Sequence, residues 1–255
     1  MRAAFSLTLL SLSLSLGVVF LRSSAPLSVV ITPIHRSVRH SDVSSGTIAR
    51  ALAIVTAPLA GADDDRDDVI RRVRDGEAGT YIGDILRLRD SSLARWPDRN
   101  GIPLTVWIQP RSAVKDYTTG YRASVRDAFE EWSALRLPIR FTFVEDSANA
   151  EVHVNWIDHF NEPISGRTRW TRDDDWAITD ANITLAVHHH RGEQLDEEAM
   201  RAMAMHEIGH LLGLDHTTDS LSIMAPRVRV RQLSSADRAT VRLLYALPAG
   251  PVVSR

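Results

Sequence analysis

Three histidines stand at a spacing that suits one metal ion: His206, His210 and His216, in the stretch His206-Glu207-Ile208-Gly209-His210-Leu211-Leu212-Gly213-Leu214-Asp215-His216. On a helix each residue advances ~100°, so His206 and His210 lie one turn apart and about 40° from each other on one face. Both imidazoles then reach one ion at the ~2.0–2.1 Å of a Zn–N bond. Glu207 flanks that face, close enough to reach a water on the ion without being a ligand. Gly213 lets the chain turn out of the helix and swing His216 back as the third nitrogen. Three neutral ligands leave the ion its double charge and an open position. Such a centre makes hydroxide available near neutral pH. Glu207, as general base, would take the proton as the water attacks a peptide carbonyl and then pass it to the leaving amine. The spacing therefore predicts a zinc-dependent endopeptidase with one catalytic Zn2+. The alternative from another class is a zinc-holding binding or adhesion module without turnover. The presence of Glu207 argues against it, because a binding module has no use for a general base.

The elements needed to position these residues are legible from periodicity. Leu104, Val106 and Ile108 alternate as a strand does. Val125, Ala128, Phe129, Trp132 and Leu135 form one apolar stripe at helical spacing. Ile139, Phe141 and Phe143 alternate again, as do Val152, Val154 and Trp156, and Ile183, Leu185 and Val187; Gly166 to Arg172 is a further short strand. Asp196 is a plausible N-cap for the histidine helix, with Glu197 and Glu198 at its positive end and Gly213 near its close. Ser234 with Asp237 resembles a capping box for a last helix to Tyr245, and Pro248 discourages extension. A strand, a helix, several strands and two helices make an α+β layout.

Composition narrows the chemistry. The chain of 255 residues has no cysteine, so disulfides, thiolate ligands and a catalytic thiol are excluded, and a metal site must be built from His, Asp and Glu. A net charge of -2 gives no reason to expect nucleic acid as a partner. Ala3 to Leu21 is almost unbroken apolar and serine sequence between Arg2 and Arg22, a signal peptide or signal anchor that would tether the chain to a membrane or export it. Ser23-Ser24-Ala25 offers small residues for cleavage, although Pro26 would follow the cut; Ala60-Gly61-Ala62 offers a second such site, in an apolar stretch from Ile48 that reads better as a small amphipathic helix or linker. The expected organisation is a targeting segment over 1–25, a partly unstructured linker or pro-region over 26–79, and the metallopeptidase domain over 80–250. Secretion or another extracytoplasmic location follows from that N-terminus.

The histidine stretch resembles the metzincin signature, and the wider region from about Trp96 to Leu247 is similar to the matrixins, the matrix-metalloproteinase-like peptidases. Ala128 to Ser133 followed by Ile139-Arg140-Phe141 resembles that family's first helix and second strand, and Ala150 to Val154 its third strand. Ser222-Ile223-Met224-Ala225-Pro226 resembles the Met-turn beneath the zinc. The resemblance implies that Met224 supports the site without ligating it. It also implies that Ala225, Pro226 and Arg227 border the pocket for the substrate side chain after the cut. Gly166, Thr168 and Trp170 would lie on a strand that pairs with extended substrate. Substrates would be proteins or peptides. Ala225 and Pro226 stand where the astacin branch places a tyrosine, which favours the matrixin likeness.

Two departures stand out. Structural Ca2+ or a second Zn2+ occurs in many matrixins between the third and fourth strands. Here Asp158, His159, His188, His189 and His190 lack the required spacing and are expected as solvated or rim residues, as is the run Asp173-Asp174-Asp175. Matrixin latency through a pro-region cysteine is impossible in this chain. Tyr81-Ile82-Gly83-Asp84-Ile85 superficially resembles the aspartate switch of astacins, but reads better as an amphipathic helix in which Ile82, Ile85, Leu86 and Leu93 pack on the domain. If Asp84 does cap the metal, Asp84→Ala should raise peptidase activity in a chain starting near Asp63; unchanged activity removes that role.

Overall fold

A computed structural model describes residues 62–252. The targeting segment, the possible tether at 3–21 and most of the linker lie outside the described residues. Among the described residues no helix is long and apolar enough to cross a membrane.

The alternating segments form one five-stranded sheet from β2 (Leu104–Ile108), β3 (Phe141–Val144), β4 (Val152–Ile157), β5 (Gly166–Arg172) and β6 (Ile178–Ala186), in the order β3-β2-β4-β6-β5. The first four neighbours run parallel, and β5 pairs antiparallel with β6 at the edge. Because side chains alternate along a strand, the register sorts them into two faces. Leu104 and Val106 align with Phe141 and Phe143, Val106 and Ile108 with Val152 and Val154, and Val154 and Trp156 with Ile183 and Leu185. Gly166, Thr168 and Trp170 align with Leu185, Ile183 and Ala181, so these three lie on the same, apolar face. The opposite face carries Thr105, His153, Asn155, Asn182, Thr184, Arg167 and Arg169.

Two helices cover the apolar face. In α3 (Gly120–Ser133), Tyr121, Val125, Ala128, Phe129 and Trp132 are buried, and the Phe129 ring meets Phe141 and Phe143 edge-on. The histidine helix α4 (Glu197–Leu211) packs on α3, β5 and β6. Asp196 caps it by accepting from the Ala199 amide at 2.6 Å, and Glu197 and Glu198 occupy the first turn. From Ala204 to Gly209 every residue is buried, so this is a central helix, without the polar stripe of a surface one. Indole donors tie its carbonyls: Trp132 Nε1 donates to Met205 and Trp96 Nε1 to Leu211.

Before the sheet, α1 (Ala62–Gly76) packs Val69, Ile70 and Val73 against the core, and α2 (Ile82–Leu88) buries Ile82 and Ile85. A two-stranded ribbon joins β1 (Ser92–Leu93) to β7 (Gly250–Pro251). The last helix, α5 (Ser235–Ala246), begins with the reciprocal capping box of Ser234 and Asp237. The layout is the expected α+β one, with a mixed, mostly parallel sheet.

At Gly213 the chain leaves α4 with φ +99°, a conformation L side chains rarely adopt, and a Cβ there would fall inside contact distance of the Ala94 carbonyl oxygen. Gly213→Ala combines a backbone clash with left-handed strain. It should lower the urea stability of the chain by about 2 kcal/mol or more, read as a lower unfolding midpoint at unchanged slope.

Candidate metal centre

α4 places His206 and His210 one turn apart, and Gly213 turns the chain so that His216 meets them. The three Nε2 atoms lie 3.1, 3.2 and 3.3 Å from one another. His206 is buried, His210 half-buried and His216 exposed, so the cluster opens to solvent on the His216 side.

The opposite ring nitrogens decide what these short spacings mean. His206 Nδ1 donates to the Ile223 carbonyl at 2.7 Å, and His210 Nδ1 donates to the Leu214 carbonyl at 2.9 Å. A carbonyl only accepts, so both protons sit on Nδ1 and both Nε2 atoms present bare lone pairs. Between His206 and His210 the 3.1 Å contact is thus no hydrogen bond but two lone pairs aimed at one point. Around tetrahedral zinc, bonds of 2.0–2.1 Å would put neighbouring nitrogens about 3.3–3.4 Å apart. The donor set fits such an ion in number, tautomer and spacing. Among the described residues these three are the one group of His, Cys, Asp or Glu that converges in this way.

The surroundings hold the rings neutral. Burial lowers His206 to about 4 and His210 to about 3, while their carbonyl partners pull the other way. Partial burial of the ring lowers His216 as well, against the pull of Asp215. Glu207, 3% exposed, is pushed up to about 7 by burial, opposed by the hydrogen bond from Thr168 and the charge of Arg167. Its carboxylate is turned toward β5, where Thr168 Oγ1 donates at 2.7 Å to Oε2.

Beneath the histidines, the turn at Met224 is held by Asp237. This fully buried carboxylate accepts from the Ile223 amide at 3.0 Å, from the Ser222 hydroxyl, from the Ser234 amide at 2.7 Å and from the Tyr81 hydroxyl at 3.0 Å. Met224 is buried, and its sulfur lies so close to Gly209 that a Cβ there would collide with it. Ala225 is buried, whereas Pro226 and Arg227 are exposed. Arg89 closes the other side: it donates to the Gly213 carbonyl at 2.9 Å and pairs with Asp215 at 2.5 Å, and its guanidinium sits 5.1 Å from the centre of the Trp170 ring.

The other residues singled out in the sequence lie as follows. Asp84 accepts from Thr217 Oγ1 at 2.9 Å and pairs with Arg87, outside the converging nitrogens. His188, expected as a solvated or rim residue, is buried, with Nδ1 2.7 Å from Asp158 and Nε2 3.1 Å from Asp116; a carboxylate within hydrogen-bond reach of each ring nitrogen makes its burial tolerable. His189 meets Ser165 at 2.8 Å. Asp173 accepts from the amides of Asp175 and Ala177, closing the β5–β6 turn, while Asp174 and Asp175 remain exposed. Sequence reasoning missed Arg89 and the wider role of Asp237. The capping box marked Asp237, but nothing local indicates that its carboxylate also holds a turn more than ten residues away.

Residues 157–246 match the matrixin family of peptidases, and the chain is similar to a matrixin-like metzincin in the region that carries the site. Metalloendoproteinase 1-MMP of Arabidopsis thaliana is 27% identical over 51% of this chain and 40% of its own length. Neutrophil collagenase of Homo sapiens is 25% identical over 51% of this chain and 29% of its own length, and karilysin of Tannerella forsythia 26% over 51% and 30%. The chain thus spans less than half the length of each of these relatives.

The shifted histidines make metal-free stability depend on pH. Their folded values lie below the ordinary 6.5. As pH falls from 6.5 toward about 4, the unfolded chain therefore takes up protons that the folded chain refuses, and stability is lost across that window. Glu207 acts oppositely, its contribution present below 4.5 and lost as pH rises through about 7. In chelator the melting temperature should be lower at pH 5 than at pH 6.5, and His206→Gln with His210→Gln should flatten that fall.

Proposed function

Starting from a matrixin-like catalytic region, we propose that this chain is a zinc-dependent endopeptidase that cuts extended polypeptide, with Glu207 as general base. The observation that carries the reading is the convergence of three imidazole nitrogens, with the buried Glu207 next in sequence to His206. His206, His210 and His216 would hold the ion. Zinc there would supply a charge that acidifies a water and polarises the scissile carbonyl.

The chain's own groups account for the remaining steps. Glu207 accepts one proton from the attacking water as the new carbon–oxygen bond forms. It returns that proton to the amide nitrogen as the carbon–nitrogen bond breaks, so the leaving group departs as a neutral amine. A carboxyl group near 7 is well matched to taking and giving a proton at neutral pH. β5, bonded only to β6 among the described strands, has a free edge along which an extended substrate would add as a further strand. Gly166, Thr168 and Trp170 mark that edge, and Ala225, Pro226 and Arg227 would wall the pocket beyond the cut. Gly213 and Met224 support the ligands from behind. The peptidase domain is assigned to 80–250. The N-terminal segment would direct the chain to an extracytoplasmic space, released or tethered.

Purified protein should bind one zinc per chain and cut an unfolded protein substrate. Chelator should abolish cutting, and Glu207→Ala should reduce it by at least about 10²–10⁴-fold with zinc retained. Zinc binding with full activity in Glu207→Ala would remove the proposed mechanism; folded protein that takes up no zinc would remove the function.

A further inference from the structure

We propose that Thr168 is a positioning residue for Glu207, and that Gly166 is the space that makes this possible. The inference rests on the endopeptidase reading above. Both residues stand on the face of β5 turned toward α4. Glu207 is almost wholly buried, and among the described residues Thr168 is the only side chain hydrogen-bonded to its carboxylate, at 2.7 Å. The main chain of Thr168 also favours the ionised carboxylate, and to this the hydroxyl adds a charge-assisted bond, among the stronger ones available.

The same Oγ1 lies 2.9 Å from the main-chain carbonyl of Glu207. One hydroxyl proton serves one acceptor at a time, but a hydroxyl also accepts. With Glu207 ionised, Thr168 donates to Oε2. Once Glu207 has taken the proton of the water on its other carboxyl oxygen, Oε2 remains an acceptor and the Thr168 hydroxyl can go on donating to it. One oxygen therefore holds the base in place on both sides of the proton transfer, and no proton enters or leaves through Thr168.

Gly166 supplies the volume. A Cβ there would lie 2.7 Å from Glu207 Cγ and 2.8 Å from Cδ, so any side chain pushes the carboxyl group out of its place. Glycine weakens a strand, and its presence two residues from Thr168 is explained by this close approach. The strand whose edge would take the substrate thus also sets the base, coupling two positions that must agree closely for reaction.

The test compares full-length wild type with Thr168→Val, Thr168→Ser and Gly166→Ala, using a fluorogenic peptide and zinc analysis. Valine keeps the shape and β-branching and removes only the hydroxyl. Thr168→Val should lower kcat by about 10–100-fold, with KM within about twofold and zinc retained, and Thr168→Ser should recover most of kcat. Gly166→Ala should resemble Thr168→Val. Independently of turnover, the ¹³Cδ resonance of Glu207 should move in Thr168→Val and return in Thr168→Ser. Unchanged kcat in Thr168→Val, a loss confined to KM, or no rescue by serine overturns the positioning role. If zinc-loaded wild type cuts nothing, the endopeptidase reading fails, and the carboxyl resonance alone decides on Thr168: identical values in wild type and Thr168→Val would end the proposal.

Discussion

His206 and His210 aim their Nε2 lone pairs at one point because their other ring nitrogens are tied to the carbonyls of Ile223 and Leu214. A helix sets two imidazoles on one face, but leaves the ring torsion and tautomer open; the carbonyls settle both. Each carbonyl is itself secured. Ile223 belongs to the turn gripped by Asp237, which also caps α5 and accepts from Tyr81. Leu214 follows Gly213, whose backbone only glycine adopts easily and whose carbonyl Arg89 holds. The last helix, the segment around α2 and the exit from α4 thus all bear on the direction of two lone pairs.

The charge distribution is consistent with that purpose. Burial keeps the rings neutral and therefore ready as ligands, and the same burial raises Glu207 toward the range in which a carboxyl group can both take and give a proton. Neutral imidazole is the form in which histidine can ligate a metal ion. Asp215 pairs with Arg89 and stands apart from the converging nitrogens of His206, His210 and His216.

Much of this was legible in the sequence for physical reasons. Period-two alternation located β2, β4 and β6 because their two faces meet different surroundings, and the stripe from Val125 to Trp132 located α3. Asp196 and the Ser234–Asp237 pair announced helix starts because capping is local chemistry. The histidine spacing was legible because a helix turns by a fixed angle. The rest depends on contacts far apart in sequence. Arg89 reaches Gly213 and Asp215 across more than a hundred residues, and no local pattern marks it. For Thr168 the expected place on a substrate-pairing strand says nothing of its side chain, whose bond to Glu207 depends on the register of β5 on β6. His188 was expected at the solvated rim because one residue does not reveal the two carboxylates that enclose it.

If His206, His210 and His216 hold zinc, three imidazoles and one open position form a single site. X-ray absorption at the zinc edge of purified, zinc-loaded protein tests it most directly. The expected shell is three imidazole nitrogens and one additional light ligand, all at ~2.0–2.1 Å, with one imidazole lost in His216→Ala. A six-coordinate, oxygen-rich shell, or a spectrum unchanged in His216→Ala, would contradict it.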